Sequence, residues 1–195
     1  MASPSSPRLI VVSPRSRSDI EEVTEQLIER FQPAHCRLPG ALDLEYLAEV
    51  ELYNAFGFDI GPAKLDASVE AVSIPSERVI FIREDVYEAL GRSQGRARFT
   101  VAHEIGHLVL HGEVAEPFMS GNAATFYRKK GEIAPYRDPE WQAETFAGAL
   151  LMPASTVRKL VADGGRSNEL LSSVFEVSWA AARVRLEVMD QQGWL

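Results

Sequence analysis

The chain has 195 residues, of which 46% are hydrophobic and 25% charged, with a net charge of −8. That balance describes a globular chain long enough for one sizeable core, and its acidity argues against direct nucleic-acid binding. The single cysteine, Cys36, allows no internal disulfide, and no apolar run approaches a membrane span.

The first 17 residues are rich in Ser, Pro and Arg and contain no acid, a composition expected of a loose basic tail. Their one apolar run, Leu9 to Val12, is too short for a signal-peptide core, so a cytoplasmic protein is expected. Ser18 and Glu21 have the spacing of a capping box. Ile20, Val23, Leu27 and Phe31 then follow at helical spacing up to Pro33. A second helix is expected over Leu42 to Phe56, ended by Gly57.

The period then changes. Leu65, Ala67, Val69 and Ala71 alternate with polar residues, as in a strand with one wet face. Its alternation makes it the expected sheet edge. Val79 to Ile82 reads as a fully buried strand antiparallel to it. Glu84 to Leu90 forms a short helix closed by Gly91. Glu113 to Arg137 keeps no period, and its Phe126 to Lys130 charge run reads as solvated surface. Asp138 and Pro139 supply an N-cap and a first helical residue for a helix whose stripe is Ala143, Phe146, Ala147, Leu150 and Leu151. Asn168 to Met189 forms two helices around a turn at Glu176 to Ser178.

Between these lies FTVAHEIGHLVLHG, residues 99–112. As a helix it is apolar around most of its circumference and should be buried. It nevertheless carries His103, Glu104, His107 and His111, and buried charge needs a partner. His103-Glu104-x-x-His107 supplies one reason. Residues four apart lie about 5–6 Å apart at Cβ, so two imidazoles can converge on one zinc ion, each nitrogen about 2.0–2.1 Å away. Glu104 turns about 100° from the first ligand, where it can serve as base toward a water. His111 lies roughly 12 Å along the axis from His103. One ion cannot bridge that span, which leaves His111 a supporting role. For the third ligand, Glu140 lies about 50° from the centre of the downstream helix stripe and Glu144 about 90°. Glu140 points deeper into the core and is the expected ligand.

At these residues the sequence resembles the ImmA/IrrE family of zinc metallopeptidases. The resemblance rests on Phe99 to His107 with the trailing Leu-Val-Leu-His, and on Glu140-x-x-Ala143-x-x-Phe146-Ala147 leading into Leu150-Leu151-Met152-Pro153. It implies a zincin-like α+β fold with a small antiparallel sheet against the motif helix and a helix-turn-helix-like C-terminal tail. It also implies Zn2+ held by His103, His107 and Glu140, with Glu104 as base. Members that are characterised cut a DNA-binding repressor, often under stress. The implied partner is therefore a protein substrate, a repressor or antitoxin. The alternative is a catalytically silent zinc-binding module that sequesters such a partner. The expected organisation is a tail over 1–17, a peptidase domain over 18–160 and the helical segment 161–195 packed on it. That last segment lacks the basic face that DNA binding requires.

Overall fold

The computed structural model describes residues 10–92, 94–121 and 133–195. Helix α1 (Arg17–Phe31) is capped by Ser16, two residues before the expected cap. Ser16 Oγ accepts from Asp19 N, and the Asp19 carboxylate accepts from Ser16 N at 2.7 Å. Two overlapping boxes, Ser16-x-x-Asp19 and Ser18-x-x-Glu21, were available. The first forms because Glu21 is turned inward to a buried partner, Arg185. A short helix α2 (Pro33–Arg37) follows where only a stop was expected. The second expected helix is one helical run of three parts: α3 (Leu44–Tyr46), a π-helical stretch over Leu47–Glu51, and α4 (Leu52–Phe56), ended at Gly57.

Four strands follow: β1 (Asp59–Ala63), β2 (Val69–Ile74), β3 (Val79–Arg83) and β4 (Phe118–Gly121), in the spatial order β1-β3-β2-β4. The sheet is mixed. β2 is antiparallel to β3 as expected, but β1 runs parallel to β3, which corrects the all-antiparallel expectation. The centre of β1 is Gly61-Pro62, which hides it from pattern reading. Pro62 is tolerated because β1 is an edge strand, where its missing N–H removes no ladder bond. The expected edge, Leu65 to Ala71, is not an edge. Asp66 accepts from the Ser68 backbone N–H in a local turn, the strand starts only at Val69, and β2 is paired on both sides, with β3 and with β4. Its inward residues are Val69, Ala71 and Ser73. β3 also alternates rather than being fully buried, with Phe81 exposed.

Helix α5 (Glu84–Leu90) leads to α6 (Gly95–Leu110), which carries the histidines. α6 lies between the sheet and α7 (Pro139–Leu151), and α1 packs on α7. Covered on both sides, α6 is buried at every residue from Thr100 to Leu108, as its all-round apolar pattern requires. Two glycines permit the close approaches. A Cβ on Gly106 would come within 3.1–3.2 Å of Phe146 and Ala143, so this residue lets α7 approach the motif turn. A Cβ on Gly95 would lie 2.4 Å from Ser178 N, where the start of α6 meets the C-terminal turn.

The chain continues through α8 (Ala154–Ala162), absent from the sequence reading, to α9 (Asn168–Phe175) and α10 (Trp179–Gln191), where two helices were expected. Leu171, Phe175, Ala182, Leu186 and Met189 join the same core cluster as Ile20 and Ile105. Of the stretch expected to be a loose tail, residues 1–9 lie outside the described residues. Residues 10–16 run beside the approach to α7, with Val12 N donating to Arg137 O and Arg15 N to Tyr136 O. The Phe126 to Lys130 run also lies outside the described residues.

Candidate metal centre

His103 and His107 stand one turn apart on α6, and their Nε2 atoms come within 3.0 Å of each other. Glu140 reaches them from the first turn of α7. The Asp138 side chain caps that helix by accepting from Glu140 N at 3.0 Å, which fixes where the first turn begins. The Glu140 carboxylate oxygens lie 3.4 Å from His103 Nε2 and 3.4 Å from His107 Nε2. Ligand atoms of the three residues all fall within 4.8 Å of one another. Glu144, one turn further along α7, is exposed.

The donor set fits a divalent ion of the zinc type. Tetrahedral ligands about 2.0–2.1 Å from an ion stand about 3.3–3.4 Å apart, close to the separations here. Two imidazole nitrogens and one carboxylate are ordinary zinc ligands and leave a position open. A further sign is Glu104, which is fully buried with Oε1 making no hydrogen bond among the described residues. Such a buried acceptor is costly unless something polar is brought to it.

Glu104 is held from the sheet. Ser73 Oγ, on the inward face of β2, donates to Glu104 Oε2 at 2.5 Å. Ser120 on β4 also faces the carboxyl but lies outside hydrogen-bond geometry. Burial pushes the Glu104 pKa up. The charge of His103 and the Ser73 hydroxyl oppose that shift, and the Glu140 carboxylate adds to it. For His103, burial alone would lower the pKa. Its hydrogen bond to Glu140 and the charges of Glu104, Glu140 and Glu144 outweigh burial and raise it.

Behind His107 the side chains are as ordered as those in front. The ring stacks on Phe118 of β4, with centroids 3.9 Å apart and planes 9° from parallel. Its Nδ1 lies 3.1 Å from His111 Nδ1, and His111 Nε2 lies 3.1 Å from Gln142 Oε1. Burial lowers the His111 pKa to about 4, so its ring is neutral near pH 7. The structure thus brings His103, His107, Glu140 and Glu104 together and sets His111 behind the cluster.

Sequence reasoning missed Ser73, Phe118 and Gln142. Ser73 could have been found as a polar residue on the inward face of an alternating strand. Gln142 lies one turn before Phe146 on the apolar stripe and is fully buried. Phe118 gave no signal, because β4 has only four residues and lies within the stretch without period.

The chain is mixed α+β and brings a His-His-Glu cluster from two helices beside a buried glutamate, a donor set that could hold a metal ion. A family model described as Peptidase M78, IrrE N-terminal-like domain, matches residues 64–187. The chain belongs to that family, ImmA/IrrE, and is thereby a metallopeptidase acting on a protein substrate. No curated protein matches the sequence. Among the described residues no helix is long and apolar enough to cross a membrane.

Proposed function

We propose that the protein is a cytoplasmic zinc endopeptidase that makes limited cuts in a regulatory protein, a DNA-binding repressor or antitoxin. His103, His107 and Glu140 hold the zinc, and Glu104 is the base. The observation that carries this reading is the meeting of the three ligand atoms within 4.8 Å beside a buried, oriented Glu104. A module that only held metal and sequestered a partner would have no use for a desolvated carboxylate at that place.

Bound zinc supplies Lewis acidity toward a peptide carbonyl and a water. The protein's own residues do the rest. Ser73 occupies Glu104 Oε2 and leaves Oε1 to take a proton from the attacking water and pass it to the leaving amine nitrogen. Burial raises the Glu104 pKa, which strengthens it as a base once ionised. Phe118 keeps the His107 ring in one plane. An extended substrate segment is placed along the outer edge of β4, which has no strand partner among the described residues.

The test uses Glu104→Gln. Wild type and variant are each loaded with zinc and incubated with any small DNA-binding repressor or antitoxin that a neighbouring gene encodes, and fragments are read by mass spectrometry. The variant should keep about one zinc per chain and lose cleavage by at least about 100-fold. Cleavage by Glu104→Gln at the wild-type rate would refute the assigned base.

A further inference from the structure

We propose that Gln142 and His111 are positioning residues that fix the proton of His107 on Nδ1, so that Nε2 presents its lone pair to the metal cluster. The proposal rests on the reading of His107 as a ligand. Its logic is a chain of donors and acceptors in which each link decides the next.

The chain starts at a side chain whose orientation is unambiguous. Gln142 is fully buried on α7. Its amide nitrogen lies 2.9 Å from the carbonyl oxygen of Ser13 and 2.8 Å from that of Tyr136. Both neighbours are acceptors only, so the atom between them must be the NH2 group. The flipped amide would set an oxygen against two carbonyls. Oε1 therefore faces His111 Nε2 at 3.1 Å, and that nitrogen must donate. His111 is buried and its hydrogen-bond partners among the described residues are Gln142 and His107, neither a carboxylate, so a second proton would make a costly buried cation. With its one proton on Nε2 it has an acceptor at Nδ1, 3.1 Å from His107 Nδ1. His107 Nδ1 must then donate. Its Nε2 is left as the unprotonated nitrogen, facing His103 Nε2 at 3.0 Å and Glu140 at 3.4 Å.

Ligating histidines usually direct their second N–H at a carboxylate, a backbone carbonyl or a water. Here the acceptor is another imidazole, and the polarity of the pair is set two residues away. One of the two anchoring carbonyls, that of Ser13, belongs to the N-terminal segment outside the matched family region of 64–187. A segment outside the matched region thus helps to orient a group at the centre of the site.

The experiment reads the ring tautomers directly in the full-length, metal-free protein by long-range proton–nitrogen NMR at pH 7.5. Zinc affinity is then measured by competition with a chromophoric chelator. In the wild type, His107 should be the Nδ1–H tautomer and His111 the Nε2–H tautomer. His111→Phe fills the space but accepts no hydrogen bond. It should shift His107 toward Nε2–H and weaken zinc binding about 10–100-fold. His111→Asn restores an acceptor and should recover the Nδ1–H tautomer with much of the affinity. An Nε2–H tautomer of His107 in the wild type overturns the proposal, as does unchanged zinc affinity in a folded His111→Phe variant. Should His111→Phe not fold, the wild-type tautomers decide alone. A wild type with the stated tautomers but no zinc binding would instead sink the metal reading and leave the relay standing.

Discussion

At the scale of single residues, the choice between Glu140 and Glu144 tests the site most sharply. Both lie on one face of α7, but the Glu140 carboxylate stands 3.4 Å from both imidazole nitrogens while Glu144 is exposed. Glu140→Gln should weaken zinc binding by more than about 100-fold and Glu144→Gln by less than about 10-fold, because loss of a ligand exceeds the usual effect of an outer neighbour. Competition titrations of the two variants measure this, and equal losses would mean the third ligand is misassigned. The pair of histidines was legible because a four-residue spacing on a helix is local information. Glu140 was legible because a carboxylate close to the middle of an apolar stripe is anomalous. Ser73 and Phe118 were not, since each becomes meaningful only when the sheet is laid against α6, and no local period encodes that docking.

At the scale of elements, the same division holds between what is local and what is not. The Asp138-Pro139 start of α7, the span of α5 and the turn between α9 and α10 follow from caps and breakers, and all three lie where the sequence places them. The start of β2 was misplaced because the alternation runs on through the Asp66–Ser68 turn. Helix α2 was missed, yet it carries a titrating group with a consequence for stability. His35 is buried edge-on against Phe175, and burial lowers its pKa to about 4 from 6.5. Above pH 6.5 the folded and unfolded chains are both neutral there, and the shift contributes nothing. Between about 6.5 and 4 the unfolded chain takes up a proton that the folded chain refuses, so stability falls as pH falls. The loss levels off below about pH 4, at on the order of 3 kcal/mol. His35→Leu should therefore lose less stability than wild type between pH 7 and pH 4.5 in urea titrations. Identical losses would show that His35 does not titrate as its burial requires.

At the scale of the whole molecule, the C-terminal helix is tied to the N-terminal one. Arg185 on α10 pairs with Glu21 on α1, its Nη2 2.9 Å from Glu21 Oε2, and its Nε donates to Met152 O at 2.9 Å. Both side chains are buried. Arg185→Met or Glu21→Leu alone should cost about 3–5 kcal/mol, because each leaves a buried charge unmatched. The double change Glu21→Leu with Arg185→Met should cost far less than the sum of the two. Chemical denaturation of the four proteins gives the coupling directly, and additive losses would mean the pair is not coupled.

That same pair joins residues 164 positions apart in the chain. A contact of such sequence separation is expected to form late, after other contacts have closed the loops between its ends. On that expectation it has little part in the rate-limiting step of folding. Its energy is felt chiefly on the way out, because interactions absent from the transition state slow unfolding without hastening folding. Substitutions at Glu21 and Arg185 should consequently steepen the rate of unfolding while the refolding rate hardly changes. Among the described residues the pair clasps the first helix to the last, so its loss should shorten the life of each folded molecule more than it delays refolding.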